Sequence, residues 1–178
     1  MEYNVNLSEA AIYVGTYAKY NSGSLFGKWL KLSEFANLEE FHAACAKLHK
    51  DEEHPEYMFQ DDENIPSNLI NEGKLSAKFF EVREAIESLD NGEDEAFLIW
   101  ANQGRHDLSE EDIDELIALF KEKYIGCYSS EIEFVKEYVL GRHELSAFMK
   151  TYFDYELYTN DLFNNEYWFE SGHVFEND

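Results

Sequence analysis

All of the uncompensated charge in this 178-residue chain lies beyond residue 50. Residues 1–50 hold five acids and five bases, whereas residues 51–178 hold thirty-three acids against nine bases, so the net charge of −24 falls entirely on the second stretch. Self-repulsion on that scale opposes compaction, and only a chain with ample apolar surface folds against it. Here 44% of residues are hydrophobic and 16% aromatic, which places the chain among folded proteins rather than disordered acidic tails. The same charge repels nucleic acid and anionic membranes and favours a strongly basic protein partner.

Four successive stretches carry the excess. No Lys or Arg falls among Asp51, Glu52, Glu53, Glu56, Asp61, Asp62, Glu63 and Glu72. The second stretch holds Glu84, Glu87, Asp90, Glu93, Asp94 and Glu95, and the third holds Glu110, Glu111, Asp114 and Glu115 between Arg105 and Lys121. Beyond Lys150 no base occurs, while Asp154, Glu156, Asp161, Glu166, Glu170, Glu176 and Asp178 continue the series. One such stretch is an ordinary solvated face, and acids in a first helical turn also favour the helix dipole. Four in a row without counter-charges call for a partner. Adaptation to high salt would have enriched residues 1–50 as well, which it has not.

Duplex DNA carries about one charge per 1.7 Å of axis. A compact globule of this length has a radius of gyration of roughly 16 Å and a diameter of about 40 Å, so its charge amounts to about one per 1.7 Å. Carboxylates therefore stand in for phosphates as the working expectation, with a DNA-binding groove of another protein as the partner. The candidate contacts are Asp61, Asp62 and Glu63; Glu84, Glu87, Glu93, Asp94 and Glu95; Glu110, Glu111, Asp114 and Glu115; and Asp154, Glu156 and Asp161.

The expected fold class is α+β in three small domains. Residues 1–66 form an N-terminal α+β domain. Within it, Ala11–Tyr17 and Leu25–Lys31 make a β-hairpin around Asn21-Ser22-Gly23-Ser24, Ser33 caps a helix with Phe35, Leu38, Phe41, Cys45 and Leu48 on one stripe, and Glu56–Gln60 adds a strand. Residues 67–108 form a helical middle domain: Ser76 opens a helix ending at Asp90-Asn91-Gly92, and Glu93–Asn102 is a second helix, stopped by Gly104. Residues 109–178 form a C-terminal α+β domain. Its first helix has Ser109 and Asp112 in capping-box register, further helices begin at Ser130 and Glu144, and two short strands surround Ser171-Gly172.

Other chemistries find little support. Gly23-x-x-x-Gly27-Lys28 is one residue short of a phosphate loop and has Trp29 in place of the magnesium-binding hydroxyl. Asp61–Glu72 places Ile65 and Pro66 where a calcium loop needs a ligand and a glycine. His42, His49 and His54 lack zinc-site spacing and read as surface or boundary residues, and His143-Glu144 lacks a second histidine. Cys45 reads as a buried apolar residue, Cys127 sits in an uncharged stretch, and no disulfide is expected. No Gly-x-Ser-x-Gly elbow occurs, and among thirty-eight acids a glycosidase-like pair would arise by chance. The aromatic set Tyr152, Phe153, Tyr155, Tyr158, Phe163, Tyr167, Trp168 and Phe169 reads as core with a share in a dimer contact, since no base accompanies it to hold nucleic acid. No catalytic residue, metal or cofactor is expected. Met1–Ala10 lacks the features of a secretory signal, and the runs Ala10–Val14 and Ala96–Ala101 are too short to span a bilayer, so a cytoplasmic protein is expected.

The segment Ile12-Tyr13-Val14-Gly15-Thr16-Tyr17-Ala18-Lys19-Tyr20-Asn21-Ser22-Gly23 with Gly27-Lys28-Trp29 resembles the opening of the ArdA-type antirestriction proteins. Tyr57-Met58-Phe59-Gln60-Asp61-Asp62-Glu63-Asn64-Ile65-Pro66, the Tyr152–Tyr158 segment with Asp161-Leu162, and Gly172-His173-Val174-Phe175 follow in the same order. The resemblance implies an elongated row of three small domains, a curved homodimer joined through the C-terminal domain, and mimicry of bent B-form DNA. It implies that the target is the methyltransferase core of type I restriction–modification enzymes, whose groove is blocked competitively. It also implies carriage on mobile genetic elements, and it makes the N-terminal domain, whose first 50 residues are neutral, the far tip of each arm; that lower charge suggests a smaller share in binding. The competing reading is an acidic binding module for another basic, DNA-binding protein.

Overall fold

The computed structural model describes residues 5–90, 92–103, 105–142 and 145–177, which divide at Leu116 and Ile117 into two compact units. The first unit opens with a three-stranded antiparallel sheet of order β2-β1-β3, where β1 is Ala11–Thr16, β2 is Lys28–Lys31 and β3 is Tyr57–Glu63. The central strand is nearly continuous in burial, and its Ile12 and Val14 are buried, as are Leu30, Leu32, Phe41 and Phe59 of the same core.

The two expected strands pair, with Tyr13 opposite Trp29, but they are not joined by a tight hairpin. A five-residue helix, α1 (Tyr17–Asn21), intervenes, begun by the Thr16 hydroxyl accepting the Lys19 N–H at 3.3 Å. The second helix, α2 (Leu38–Leu48), starts later than the apolar stripe suggests. Asn37 caps it by accepting the Glu40 N–H at 3.0 Å, while Ser33 lies in the 3-10 turn Leu32–Glu34. Asn37 wins because the Glu40 carboxylate reaches back to the Ala36 N–H at 2.8 Å, so each side chain satisfies a donor that the helix leaves free.

A small hairpin, β4 (Ile70–Asn71) with β5 (Lys74–Leu75), precedes α3 (Lys78–Glu87) and α4 (Glu93–Ala101). Every residue from Ala96 to Ala101 is buried, because a helix that is apolar all round must be surrounded by protein. The expected turn residue Asn91 and helix stop Gly104 lie outside the described residues. The helix α5 (Ile113–Lys123) begins with Asp112, whose carboxylate accepts the Asp114 and Glu115 N–H groups at 3.0 and 3.1 Å. Ser109 does not cap it; its hydroxyl donates to Asp107 at 2.6 Å.

The second unit contains β6 (Tyr124–Cys127), α6 (Glu131–Arg142), α7 (Ala147–Tyr152), α8 (Tyr155–Asn165), β7 (Tyr167–Glu170) and β8 (His173–Glu176). Its antiparallel sheet has order β6-β8-β7. Ser171 and Gly172 connect β7 to β8 with φ of 50° and 91°, the left-handed pair that matches strand twist in a two-residue turn. Phe134 is the hub of the core here, meeting Tyr128, Phe163 and Tyr167 edge-on at 5.0 to 5.8 Å. Phe153, Tyr155, Tyr158, Phe163 and Phe169 pack against this cluster, and Trp168 stacks on Phe175. The helix start expected at Glu144 lies outside the described residues, and Ser146 caps α7 through the Met149 N–H.

The two cysteines differ in access. Cys45 is fully buried, which pushes its thiol up to about 12, whereas Cys127 is exposed. A thiol reagent at neutral pH is therefore expected to label one site on the folded chain and both in denaturant. Rapid native labelling of Cys45, read by peptide mass, would contradict its placement.

Candidate partner-binding surface

Thirteen of the fifteen candidate carboxylates are exposed; Glu93 and Glu95 are half-buried. Asp61, Asp62 and Glu63 occupy the end of β3, an edge of the first sheet. Desolvation, with a contribution from the Asp61 charge, raises the Asp62 carboxyl above its ordinary value. Glu84 and Glu87 stand one turn apart on α3, hence on one face.

Glu87, Asp94 and Glu95 are brought together across α3 and α4, where they line a cavity of about 330 Å³ with Arg83, Ile86 and Leu98. The guanidinium among them does not form an ion pair with these acids. It donates to the carbonyl oxygens of Leu32 at 2.7 Å, which also accepts the Phe35 N–H, and of Phe35 at 3.0 Å. Glu93 contributes less to the surface, since its Oε2 is buried with no hydrogen-bond partner.

Glu110, Glu111, Asp114 and Glu115 surround the start of α5, and all four are exposed. Glu111 is partly committed. Its carboxylate accepts the Asp107 N–H and lies 3.4 Å from His106 Nδ1, and the His106 ring stacks on Trp100 at 4.2 Å. Lys78 reaches the same loop by donating to the backbone carbonyls of Glu110 and Glu111, leaving the Glu110 carboxylate free of it. In the second unit Asp154 caps α8 through the Leu157 N–H at 2.9 Å, and Glu156 and Asp161 project from that helix. Among the described residues, none of the fifteen pairs with a Lys or Arg, and Glu111 alone lies beside a histidine.

Two neighbouring acids depart from the sequence reading. Asp51 and Glu52 are not without a counter-charge, because Lys19, distant in sequence, lies 2.9 Å from both. The lysine hydrogen bonds are the largest influence lowering both carboxyls below their ordinary values. The same ammonium lies 3.1 Å from His49 Nδ1, and His49 Nε2 lies 3.2 Å from the Val14 carbonyl. The carbonyl can only accept, so Nε2 carries the hydrogen and Nδ1 accepts from Lys19. His49 is fully buried rather than a surface or boundary residue. His49, Asp51 and Glu52 offer ligand atoms within 4.8 Å of one another, yet Lys19 already places a positive charge in hydrogen-bonding range of all three. A signal for this burial existed: Phe41, Cys45 and His49 recur every four residues, on one helical face.

No helix among the described residues is long and apolar enough to cross a membrane. The profile of the ArdA family, described as antirestriction protein, matches residues 12–176. A search of curated proteins finds no match.

Proposed function

Because this chain belongs to the ArdA family of antirestriction proteins, we propose that it inhibits type I restriction–modification enzymes as a non-catalytic mimic of B-form DNA, its carboxylates occupying the groove that holds phosphates. The observation that carries this reading is the state of the candidate acids, almost all exposed and all but Glu111 free of ion pairs among the described residues. A carboxylate already paired with lysine would have to break that pair before meeting a basic groove. These do not.

The test is competition between this protein and a DNA duplex for a purified type I methyltransferase core, at several salt concentrations. Displacement of DNA that weakens steeply as salt rises is expected. Displacement that is insensitive to salt would remove the electrostatic premise, and a protein that binds other basic DNA-binding proteins equally well would be a general acidic module instead.

The reading extends to a cytoplasmic homodimer, to three successive domains with the first two sharing one compact unit, and to carriage on mobile elements. We assign the dimer contact of this reading to α7. Phe148 and Tyr152 are 71% and 72% exposed, Met149 lies beside them, and no acid falls between Glu144 and Asp154. On a chain of net charge −24, a second copy is tolerated best where the acids are missing. Sedimentation is expected to show a dimer that Phe148→Glu converts to monomer; an unchanged dimer would move the contact elsewhere.

A further inference from the structure

The longest acid-free run in the chain extends from Ala10 to Leu32 and Ser33, between Glu9 and Glu34, and it carries Lys19, Lys28 and Lys31. Inside it the segment Ser22–Gly27 forms a knuckle of exposed apolar side chains: Leu25 is 74% exposed, Phe26 50%, and Tyr20 and Trp29 are exposed beside them. Such residues invite the explanation of a slack loop, but this one is fastened. The Ser24 N–H donates to the Lys19 carbonyl at 2.9 Å, the Tyr13 hydroxyl donates to the Leu25 carbonyl at 3.1 Å, and the Phe26 N–H donates to the Ser24 hydroxyl at 3.2 Å. Gly27 lies so close to Tyr13 that an added Cβ would stand 2.6 Å from the ring and 2.8 Å from the Val14 carbonyl. The Phe26 ring meets His49 edge-on at 5.7 Å.

A fastened apolar projection loses little conformational freedom on docking, which is the condition for a small contact to contribute affinity. Its charge is opposite to that of the proposed phosphate-mimicking surface. Lys28 and Lys31 are exposed and carry that charge, whereas Lys19 is outweighed by Asp51 and Glu52 beside it. A basic groove that accepts the carboxylates would repel this region, so it requires different ground on the partner. We propose that the Leu25–Phe26 knuckle is a second docking element, which seats on an apolar patch bordered by acids on the same restriction–modification enzyme, outside the DNA groove. The inference rests on the proposed function and gives it a contact whose apolar part salt does not weaken.

The experiment measures binding of the full chain to the methyltransferase core over a range of salt, comparing the unaltered protein with Leu25→Ser and Lys28→Glu. Both side chains are exposed and outside the core, and circular dichroism with a thermal melt verifies folding. Leu25→Ser is expected to weaken binding about tenfold at every salt concentration without changing the salt slope. Lys28→Glu is expected to weaken it as well, more at low salt than at high. Two folded variants that bind as the unaltered protein does would overturn the proposal, as would Lys28→Glu binding more tightly, which would place the knuckle over basic ground. A change of oligomeric state in Leu25→Ser would assign the knuckle to a second copy and overturn it too. If the unaltered protein fails to bind the enzyme, the proposed function falls together with the knuckle. Normal binding that ignores both substitutions removes the knuckle alone.

Discussion

Neutralising Asp61, Asp62, Glu110, Glu111, Asp114 and Glu115 together, as Asn or Gln, is expected to flatten the salt dependence of inhibition and reduce affinity at low salt by orders of magnitude. For duplex DNA the slope of log affinity against log salt is about −0.9 per neutralised phosphate, and six to ten contacts correspond to about a 10³- to 10⁵-fold loss between 50 and 200 mM salt. Carboxylates acting in place of phosphates inherit that behaviour, so six removed contacts should shift the slope by about 5. Single neutralisations act weakly because each exposed charge contributes about 0–1 kcal/mol in water. Glu111 is the exception to watch, since it also accepts the Asp107 N–H and pairs with His106, and part of its effect will appear as lost stability. A single substitution that abolishes inhibition in a folded protein would contradict a distributed surface, whereas a sixfold variant with an unaltered slope would contradict the choice of residues.

The second large effect concerns stability. Lys19→Met is expected to unfasten the first unit, because it removes the hydrogen-bond donor of buried His49 and the counter-charge of Asp51 and Glu52 at once. An unsatisfied buried acceptor alone costs about 1–3 kcal/mol, a large share of the few kcal/mol by which small domains are stable. The acid side follows from the directions of the carboxyl shifts. Asp51 and Glu52 are lowered in the folded chain, so their contribution is complete above the unfolded carboxyl values, near pH 4, and is lost as pH falls through the lower folded values. Against the general relief of self-repulsion that protonating many acids brings, the unaltered protein should lose this stability on acidification and Lys19→Met should lose less, keeping only the smaller contributions of the Thr16 hydroxyl to Glu52 and of the backbone to Asp51. Denaturant titrations of both proteins between pH 6 and about pH 3 compare the slopes. Parallel curves, or equal stability at neutral pH, would show that the cluster does not hold the unit together.

The sequence made some of this legible and hid the rest for identifiable reasons. The pairing of Ala11–Thr16 with Lys28–Lys31 is visible in the β-branched and aromatic residues, but α1 between them is not, since Tyr17–Asn21 has the composition of strand and turn and becomes helical through a Thr16 cap. The start of α5 is obscured in the sequence because Ser109 and Asp112 both suit a cap, and only the bond from Ser109 to Asp107 decides between them. The strand β6 has only four residues, one of them Gly126 at φ 151°, too short and irregular for periodicity to register. The acidic surface was legible as composition, because exposure of most Asp and Glu follows from the cost of burying them. Which acids have a cation was not. Lys19 and Asp51 are separated by 32 positions, and nothing local announces their meeting.

Arg83, Lys78 and Lys19 share one habit: each turns its charge toward groups of its own chain, to the carbonyls of Leu32 and Phe35, to those of Glu110 and Glu111, and to the pocket of His49, Asp51 and Glu52. The fold therefore sets a ceiling on how acidic this sequence can become. Drift that exchanged these three for neutral or negative residues would make the surface more acidic only by dissolving the scaffold that displays it, so on the proposed reading any gain in negative charge must come from the remaining cations.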